Sequence, residues 1–387
     1  MIPRLIAALL LVVLAGCTAQ RQPPAAPLLR LSRIGFEELP GWKDIKADAA
    51  LGAFQRSCAI LMQKPDATPL GGAGYGGTVA DWRAVCAKAL GAAKPFFEQN
   101  FTPYAVDGKA LFTGYYEPEI RASRTRHDDY QTPIYGLPRD LVRVDLALFD
   151  PQLKSEHISG RVEGQALLPY PDRRQIETSG LADAPVLFYT NDPIGFFFLQ
   201  IQGSGRVLLD DGAKSQLRIA YAGENGRAYT AIGRTLIQDG SLDRLEVSLQ
   251  SIRAWLLAHP DRATAVMQSD KSYVFFQERP LGDTALGSTG SLGANLTPMA
   301  SLAVDPRLHA LGAPFYVATE GPDPVVALLV AQDIGGAIRG AARGDIFFGF
   351  GPQAESRAGT LKADGRLYLL LPDNLAAKLG QQRDFGP

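Results

Sequence analysis

Ala331-Gln332-Asp333-Ile334-Gly335-Gly336-Ala337-Ile338-Arg339-Gly340-Ala341-Ala342-Arg343-Gly344-Asp345-Ile346-Phe347-Phe348-Gly349-Phe350-Gly351 is the stretch on which the fold turns. Two strongly apolar runs, Val325–Ala331 leading into it and Ile346–Phe350 within it, read as strands. Each touches a carboxylate at one end: Asp333 follows the first and Asp345 opens the second. Glycines between them permit sharp turns and close approach of backbone or ligand. Such a geometry can bring both acids to one rim of a barrel. A carboxyl group partly desolvated beside Phe347 and Phe348 has its pKa raised, as a general acid requires. The plainer reading is that each aspartate caps a turn, and these residues alone leave both readings open. No phosphate-binding loop or dinucleotide fingerprint accompanies the glycines.

Outward from this stretch, strand signals with glycine-rich turns fall at 110–116, 186–190, 196–202, 273–277, 314–319, 325–332, 345–350 and 366–371. The strand–helix alternation of a doubly wound sheet is missing. The last third reads as nearly all strand and turn, which argues for a compact barrel. Residues 120–195 are richer in Arg, Asp and Pro, the texture of a second domain inserted into the first. Helical spacing recurs in Asp44–Met62, through Leu51, Phe54, Cys58 and Leu61. Thr78-Val79-Ala80-Asp81 resembles a capping box that opens a helix with Trp82, Cys86 and Leu90 on one face, ended soon after by Pro95. A third helix fits 242–258 and a short one 228–237.

The N-terminus carries one charge, Arg4, and then the apolar run Leu5–Leu14. That run is too short to span a bilayer, which takes about 20 residues, and fits the core of a secretory signal. It ends in Leu14-Ala15-Gly16-Cys17, which resembles the bacterial lipobox; an ordinary signal peptide or uncleaved anchor with an incidental cysteine is the competing reading. Thr18 in place of Asp favours the outer membrane, with the protein facing the periplasm. Gln20–Pro27 reads as an extended tether. Cys58 and Cys86 are then the two remaining thiols, and a disulfide competes with a pair of buried free cysteines. The four histidines match no zinc spacing. A formal charge of −1 with no basic stripe gives no sign of nucleic-acid binding.

The ordered motifs resemble the membrane-bound lytic murein transglycosylase A family. Its C-terminal module is named for three aspartates, matched here by Asp305 in Val304-Asp305-Pro306, by Asp333 and by Asp345. Phe112-Thr113-Gly114-Tyr115-Tyr116-Glu117-Pro118 resembles its opening motif. Ile201-Gln202-Gly203-Ser204-Gly205 and Tyr221-Ala222-Gly223-Glu224-Asn225-Gly226 resemble its middle ones, and Gln268–Phe276 a later one in which Asp270 and Lys271 are departures. The resemblance covers most of residues 40–372. It implies a mainly β protein with peripheral helices: a double-psi β-barrel domain plus a smaller inserted β-barrel domain, with a groove between them. The expected division is 1–16 signal peptide, 17–40 lipidated N-terminus and tether, 41–118 first part of the large barrel, 119–240 inserted barrel, 241–375 second part of the large barrel and 376–387 tail.

The activity implied is cleavage of the β-1,4 bond between N-acetylmuramic acid and N-acetylglucosamine, leaving 1,6-anhydro ends, with no cofactor and no metal. Glycan strands of peptidoglycan are the partner expected, with the membrane through the anchor and cell-wall synthesis or remodelling proteins as further candidates. By the resemblance Asp345 is catalytic, first as acid and then as base. Asp333 is the second candidate, as an orienting or electrostatic group, and Asp305 is expected to be structural. Tyr115, Tyr116, Glu117, Gln202, Ser204, Ser269 and Thr297 are candidate glycan-binding residues. Strand alternation keeps Tyr115 and Tyr116 from facing the same way, and Glu117 is the rival acid. A binding lipoprotein without turnover and a hydrolase with a second carboxylate are the competing functions.

Overall fold

The computed structural model describes residues 29–150, 153, 157–213, 215–379 and 384–385; Cys17, the expected signal and the tether up to residue 28 lie outside them, whereas 29–40, also expected as tether, contain a strand over Leu29–Arg33 that pairs into the large sheet. From β1 (Leu29–Arg33) the chain passes through α1 (Asp48–Leu61), α2 (Val79–Ala87) and α3 (Ala93–Asn100) to β2 (Phe101–Val106) and β3 (Ala110–Glu117). Next come β4 (Glu119–Ser123), β5 (Thr132–Tyr135), β6 (Val142–Asp145), β7 (His157–Glu163), β8 (Ala166–Pro169), α4 (Arg173–Ser179) and β9 (Val186–Thr190). Helix α5 (Pro193–Gln202) precedes β10 (Ser204–Leu209) and β11 (Gln216–Glu224). Then α6 (Ile232–Gln238), α7 (Leu249–Ala258) and α8 (Pro260–Met267) lead to β12 (Val274–Arg279). The last third holds β13 (Ser301–Val304), β14 (Pro314–Thr319), β15 (Val326–Ile334), β16 (Arg343–Phe350), α9 (Gly351–Thr360), β17 (Lys362–Pro372), α10 (Asp373–Leu379) and β18 (Asp384–Phe385).

Six strands from the two ends of the chain close into a barrel, in the order β14-β15-β13-β16-β3-β17, with β14 pairing back onto β17. Consecutive strands β15 and β16 flank β13, and β16 and β17 flank β3, so each pair encloses a third strand. These are the two interlocked crossings of a double-psi barrel. Closure leaves the ring no free edge. Its core joins Phe112, Leu302, Phe315, Ile346 and Leu369 of the strands to Phe54, Trp82 and Phe97 of the helices.

The second sheet runs β12-β11-β10-β4-β9-β5, and a Gly136–Phe276 bridge brings its ends together. Its core is separate, built on Ile134, Phe188, Leu199, Val207, Ile219 and Phe275. Because β12 belongs to this sheet, its strands span 119 to 279.

Segment 196–202, expected as a strand, is the body of α5. Asp192 accepts the Gly195 N–H as N-cap, Pro193 occupies the first turn, and Gly203 ends the helix at φ 80°, a left-handed cap that suits glycine. The run Phe196–Leu199 is apolar without a break because α5 is sandwiched. Leu199 enters the core of the second sheet, while Phe197 and Phe198 meet Leu236, Trp255 and Leu256 of α6 and α7. The helix expected over 242–258 starts at Leu249, behind a Ser248–Ser251 capping box. Pro95 lies in the first turn of α3, where its missing N–H costs nothing. Leu90 lies beyond α2 and is exposed, and the last third carries two helices, α9 and α10, beside its strands.

Cys58 and Cys86 are joined in a disulfide between α1 and α2, with Cα atoms 5.5 Å apart. The bridge spans 28 residues of sequence, a loop whose closure is worth about 3–4 kcal/mol. The Cys58→Ser/Cys86→Ser double variant is therefore expected to lose stability of that order in urea unfolding. An unchanged midpoint would show that the packing of α1 and α2 does not depend on the bridge.

Candidate active site

Ala303 of β13 pairs with Asp333 of β15 on one side and with Asp345 of β16 on the other; Asp345 pairs in turn with Thr113 of β3. The two acids and Thr113 therefore lie in one row across the barrel wall. Two strand spacings separate the acids, roughly 10 Å between backbones. Sheet register alone does this, because Asp333 ends an almost fully buried strand and Asp345 opens another.

Each acid has its own donor on β3. Thr113 Oγ1 donates to Asp345 Oδ1 at 2.5 Å, and Tyr115 donates its hydroxyl to Asp333 Oδ2 at 3.1 Å. Desolvation by burial drives the Asp345 carboxyl above the usual carboxylate range, with Asp333 adding to the shift; the Thr113 bond and the Arg343 charge pull the other way. Its protonated form is thus favoured relative to that of an ordinary carboxyl group. Asp333 is tied on its other oxygen by the backbone N–H of Ser291 at 3.0 Å and its hydroxyl at 2.8 Å. Burial, and then the negative charges of Asp333 and Asp345, push the Tyr115 phenol well above its ordinary value. Its ring packs on Phe347, centroids 5.2 Å apart.

Tyr116 points the other way, as strand alternation requires. It is 3% exposed, in the core of the large barrel, with its hydroxyl on Glu355 of α9, and so does not reach the acid row. Glu117 is 1% exposed and clamped between Arg218, which pairs with Oε1, and Arg206, which approaches Oε2 to 3.2 Å. The same guanidinium groups donate to the carbonyls of Leu281, Thr284 and Leu286, and Arg206 lies 3.3 Å over the Phe350 ring. Glu117 therefore locks the barrels together instead of standing beside Asp345.

Ser204 donates to Ser288 at 2.9 Å and so ties β10 to the segment between β12 and β13. Buried Thr297 accepts from Arg56 of α1, and Gln202 is the last residue of α5. Ser269 bonds Val266 and Thr235 at the end of α8, away from the acid row. Asp305 is fully buried and holds the segment between the two acid strands. It accepts from Arg307 (2.9 and 2.7 Å) and from the Gly340 N–H (2.8 Å). Burial pushes its carboxyl up, yet these bonds outweigh burial and hold it down to about 2.

Motif reading gave Thr113 no role and missed three further contributors. Segment 281–299 links the barrels and supplies Ser291. Arg343 donates to Thr113 Oγ1 at 2.7 Å. Gln332, fully buried, bonds Ser301 and reaches Ala53 and Ser57 of α1, fixing the residue before Asp333. Gln332 and Arg343 flank the acids in sequence, and a polar residue inside so apolar a run was the available signal. Among the described residues no cluster of three metal-ligating side chains occurs.

A double-psi barrel with a half-buried acid on its wall is thus locked to a second barrel formed by the strands between its two parts. The MltA specific insert domain matches residues 111–277, and the 3D domain matches 300–371. The chain is 30% identical over 272 residues to membrane-bound lytic murein transglycosylase A of Escherichia coli K12, a match covering 68% of this chain and 66% of that protein, just under two thirds. The structure of a membrane-bound lytic murein transglycosylase from Agrobacterium tumefaciens superposes with a TM-score of 0.78 at 30% identity, covering 90% of this chain and 99% of that one. E. coli MltA with bound chitohexaose superposes at 0.66, with 25% identity and coverage of 91% and 97%. The chain belongs to the membrane-bound lytic murein transglycosylase A family.

The depressed Asp305 carboxyl has a pH consequence. A group whose folded pKa lies below its ordinary value of 3.8 stabilises the fold above that value, and the contribution is lost as pH falls towards about 2. Asp305→Asn is expected to cost about 1–3 kcal/mol at neutral pH and to flatten the acid loss between pH 4 and 2. Parallel acid-unfolding curves for the two proteins would refute the assignment.

Proposed function

We propose that this chain cleaves the β-1,4 bond between N-acetylmuramic acid and N-acetylglucosamine in peptidoglycan strands, leaving 1,6-anhydro-muramyl ends, with Asp345 as the sole acid and then base. The observation that carries the reading is the state of that carboxyl group. It is desolvated and held at Oδ1 by Thr113, while Oδ2 has no protein hydrogen-bond partner among the described residues. Protonated Asp345 gives its proton to the leaving glycosidic oxygen as the C1–O bond breaks and positive charge develops on the sugar ring. The carboxylate then takes the proton of the C6 hydroxyl as that oxygen bonds to C1. Atoms balance without water, and the intramolecular nucleophile has a large effective concentration.

A hydrolase of conventional type needs a second carboxylate as base or nucleophile. Asp333 lies along the same rim, with both oxygens occupied by Tyr115 and Ser291. Its charge there disfavours ionisation of Asp345 and favours the positive ring. The chitohexaose carried by the E. coli relative supports a glycan strand as ligand. Acting at the cell wall places the protein outside the cytoplasm, and Cys17 is proposed as the site of lipid attachment to the outer membrane. Among the described residues no helix is long and apolar enough to cross a membrane.

Asp345→Asn preserves size and removes the acid. Turnover on purified peptidoglycan is expected to fall by at least about 10²–10⁴-fold with glycan binding retained; near-normal turnover would exclude Asp345. Wild-type activity is expected to decline as pH rises through the elevated Asp345 pKa, because the protonated form is the reactant. Products with only reducing muramyl ends would sink the transglycosylase reading.

A further inference from the structure

We propose that Arg343 is a positioning residue which, through Thr113, decides which oxygen of Asp345 carries the transferable proton; this rests on Asp345 being the acid. The Arg343 guanidinium can only donate. Nη2 donates to Thr113 Oγ1 at 2.7 Å, while Nη1 is held by the carbonyls of Gly344 and Leu111. One lone pair of Thr113 is thus taken by a permanent cation. Its single hydrogen then has one well-placed acceptor, Asp345 Oδ1 at 2.5 Å. A proton on Oδ1 would compete for that position and strand the Thr113 hydrogen, in a half-buried site, without its acceptor. The proton is accordingly confined to Oδ2, the oxygen with no protein partner among the described residues.

The interposed threonine matters as much as the arginine. No ion pair between Arg343 and Asp345 occurs among the described residues, so the cation orients the carboxyl group without meeting it. A direct bidentate pair would hold Asp345 as an anion, useless as an acid. The charged and titratable groups acting on Asp345 are Arg343 on its own strand, Asp333 on β15 and Tyr115 on β3; its β13 neighbour is Ala303. On the far face of β3, Glu355 of α9 is engaged by Tyr116 and Arg253.

The test is the pH–rate profile on purified peptidoglycan for wild type, Thr113→Val, Thr113→Ser, Arg343→Met and the Thr113→Val/Arg343→Met pair, each checked for a native melting transition. Thr113→Val and Arg343→Met are each expected to lower kcat about tenfold, less than the roughly 10²–10⁴-fold loss expected for the acid itself, with KM within about twofold. Both should move the alkaline limb to higher pH, since each removes a group that favours the carboxylate. Thr113→Ser should restore the wild-type profile, and the pair should be no worse than Thr113→Val alone, because the arginine acts through the hydroxyl. Additive losses in the pair, or an unshifted alkaline limb in Arg343→Met, would overturn the proposal. Should Arg343→Met fail to fold, Arg343→Lys replaces it, and a wild-type profile there would count against the fork-held geometry. Retained turnover in Asp345→Asn would defeat the underlying acid assignment. An inactive Asp345→Asn beside unshifted Thr113 and Arg343 variants would defeat this inference alone.

Discussion

The two-residue repeat of β3 is the constraint on which the rest of the structure depends. Thr113, Tyr115 and Glu117 share one face of the strand, and each meets a different partner: Asp345, Asp333 and the Arg206/Arg218 pair. Phe112 and Tyr116 share the other face and fill the large barrel. One strand thus sets the donor for each acid and the lock between domains. A register slip of one residue would turn all three polar contacts into the core. The strand is held against that by β16 on one side and β17 on the other.

The lock itself is a buried ionic cluster, an arrangement that is costly to desolvate and weak evidence of stability by itself. What it contributes is position. Glu117 organises two guanidinium groups, and these grip the carbonyls of Leu281, Thr284 and Leu286. The same segment continues to Ser291, which holds Asp333. From the domain boundary to the second acid there is an unbroken line of directional contacts. The acid row is therefore fixed from two sides, by sheet register from below and by the linking segment from above.

Much of this was legible in the residues. The strands around Asp333 and Asp345 follow from apolar runs ended by acids and glycines, and the Thr78–Asp81 capping box forms. Local periodicity failed where a helix is covered on most sides. Segment 196–202 offers no period to read, and only Asp192-Pro193 before it and Gly203 after it mark a helix. Glu117 looked like a rival acid because its partners, Arg206 and Arg218, lie about 90 to 100 residues away in sequence, beyond any local pattern. The membership of β12 in the second sheet is hidden for a related reason: three helices separate it from β11, yet it pairs with that strand.

One residue, Pro118, separates β3 from β4, so the chain leaves the large barrel with that barrel still unfinished. The strands that flank β3 come from 343–350 and 362–372, and Thr113 meets Asp345 across 232 residues of sequence. During synthesis and export, the inserted barrel has all its strands in hand well before the large barrel does. Its contacts close shorter loops, which form at lower entropic cost. The apolar face of β3 must wait, uncovered, for the C-terminal third to arrive. That interval is when the chain is most open to aggregation, and a preformed insert shortens it by bringing residue 279 back to within reach of residue 118.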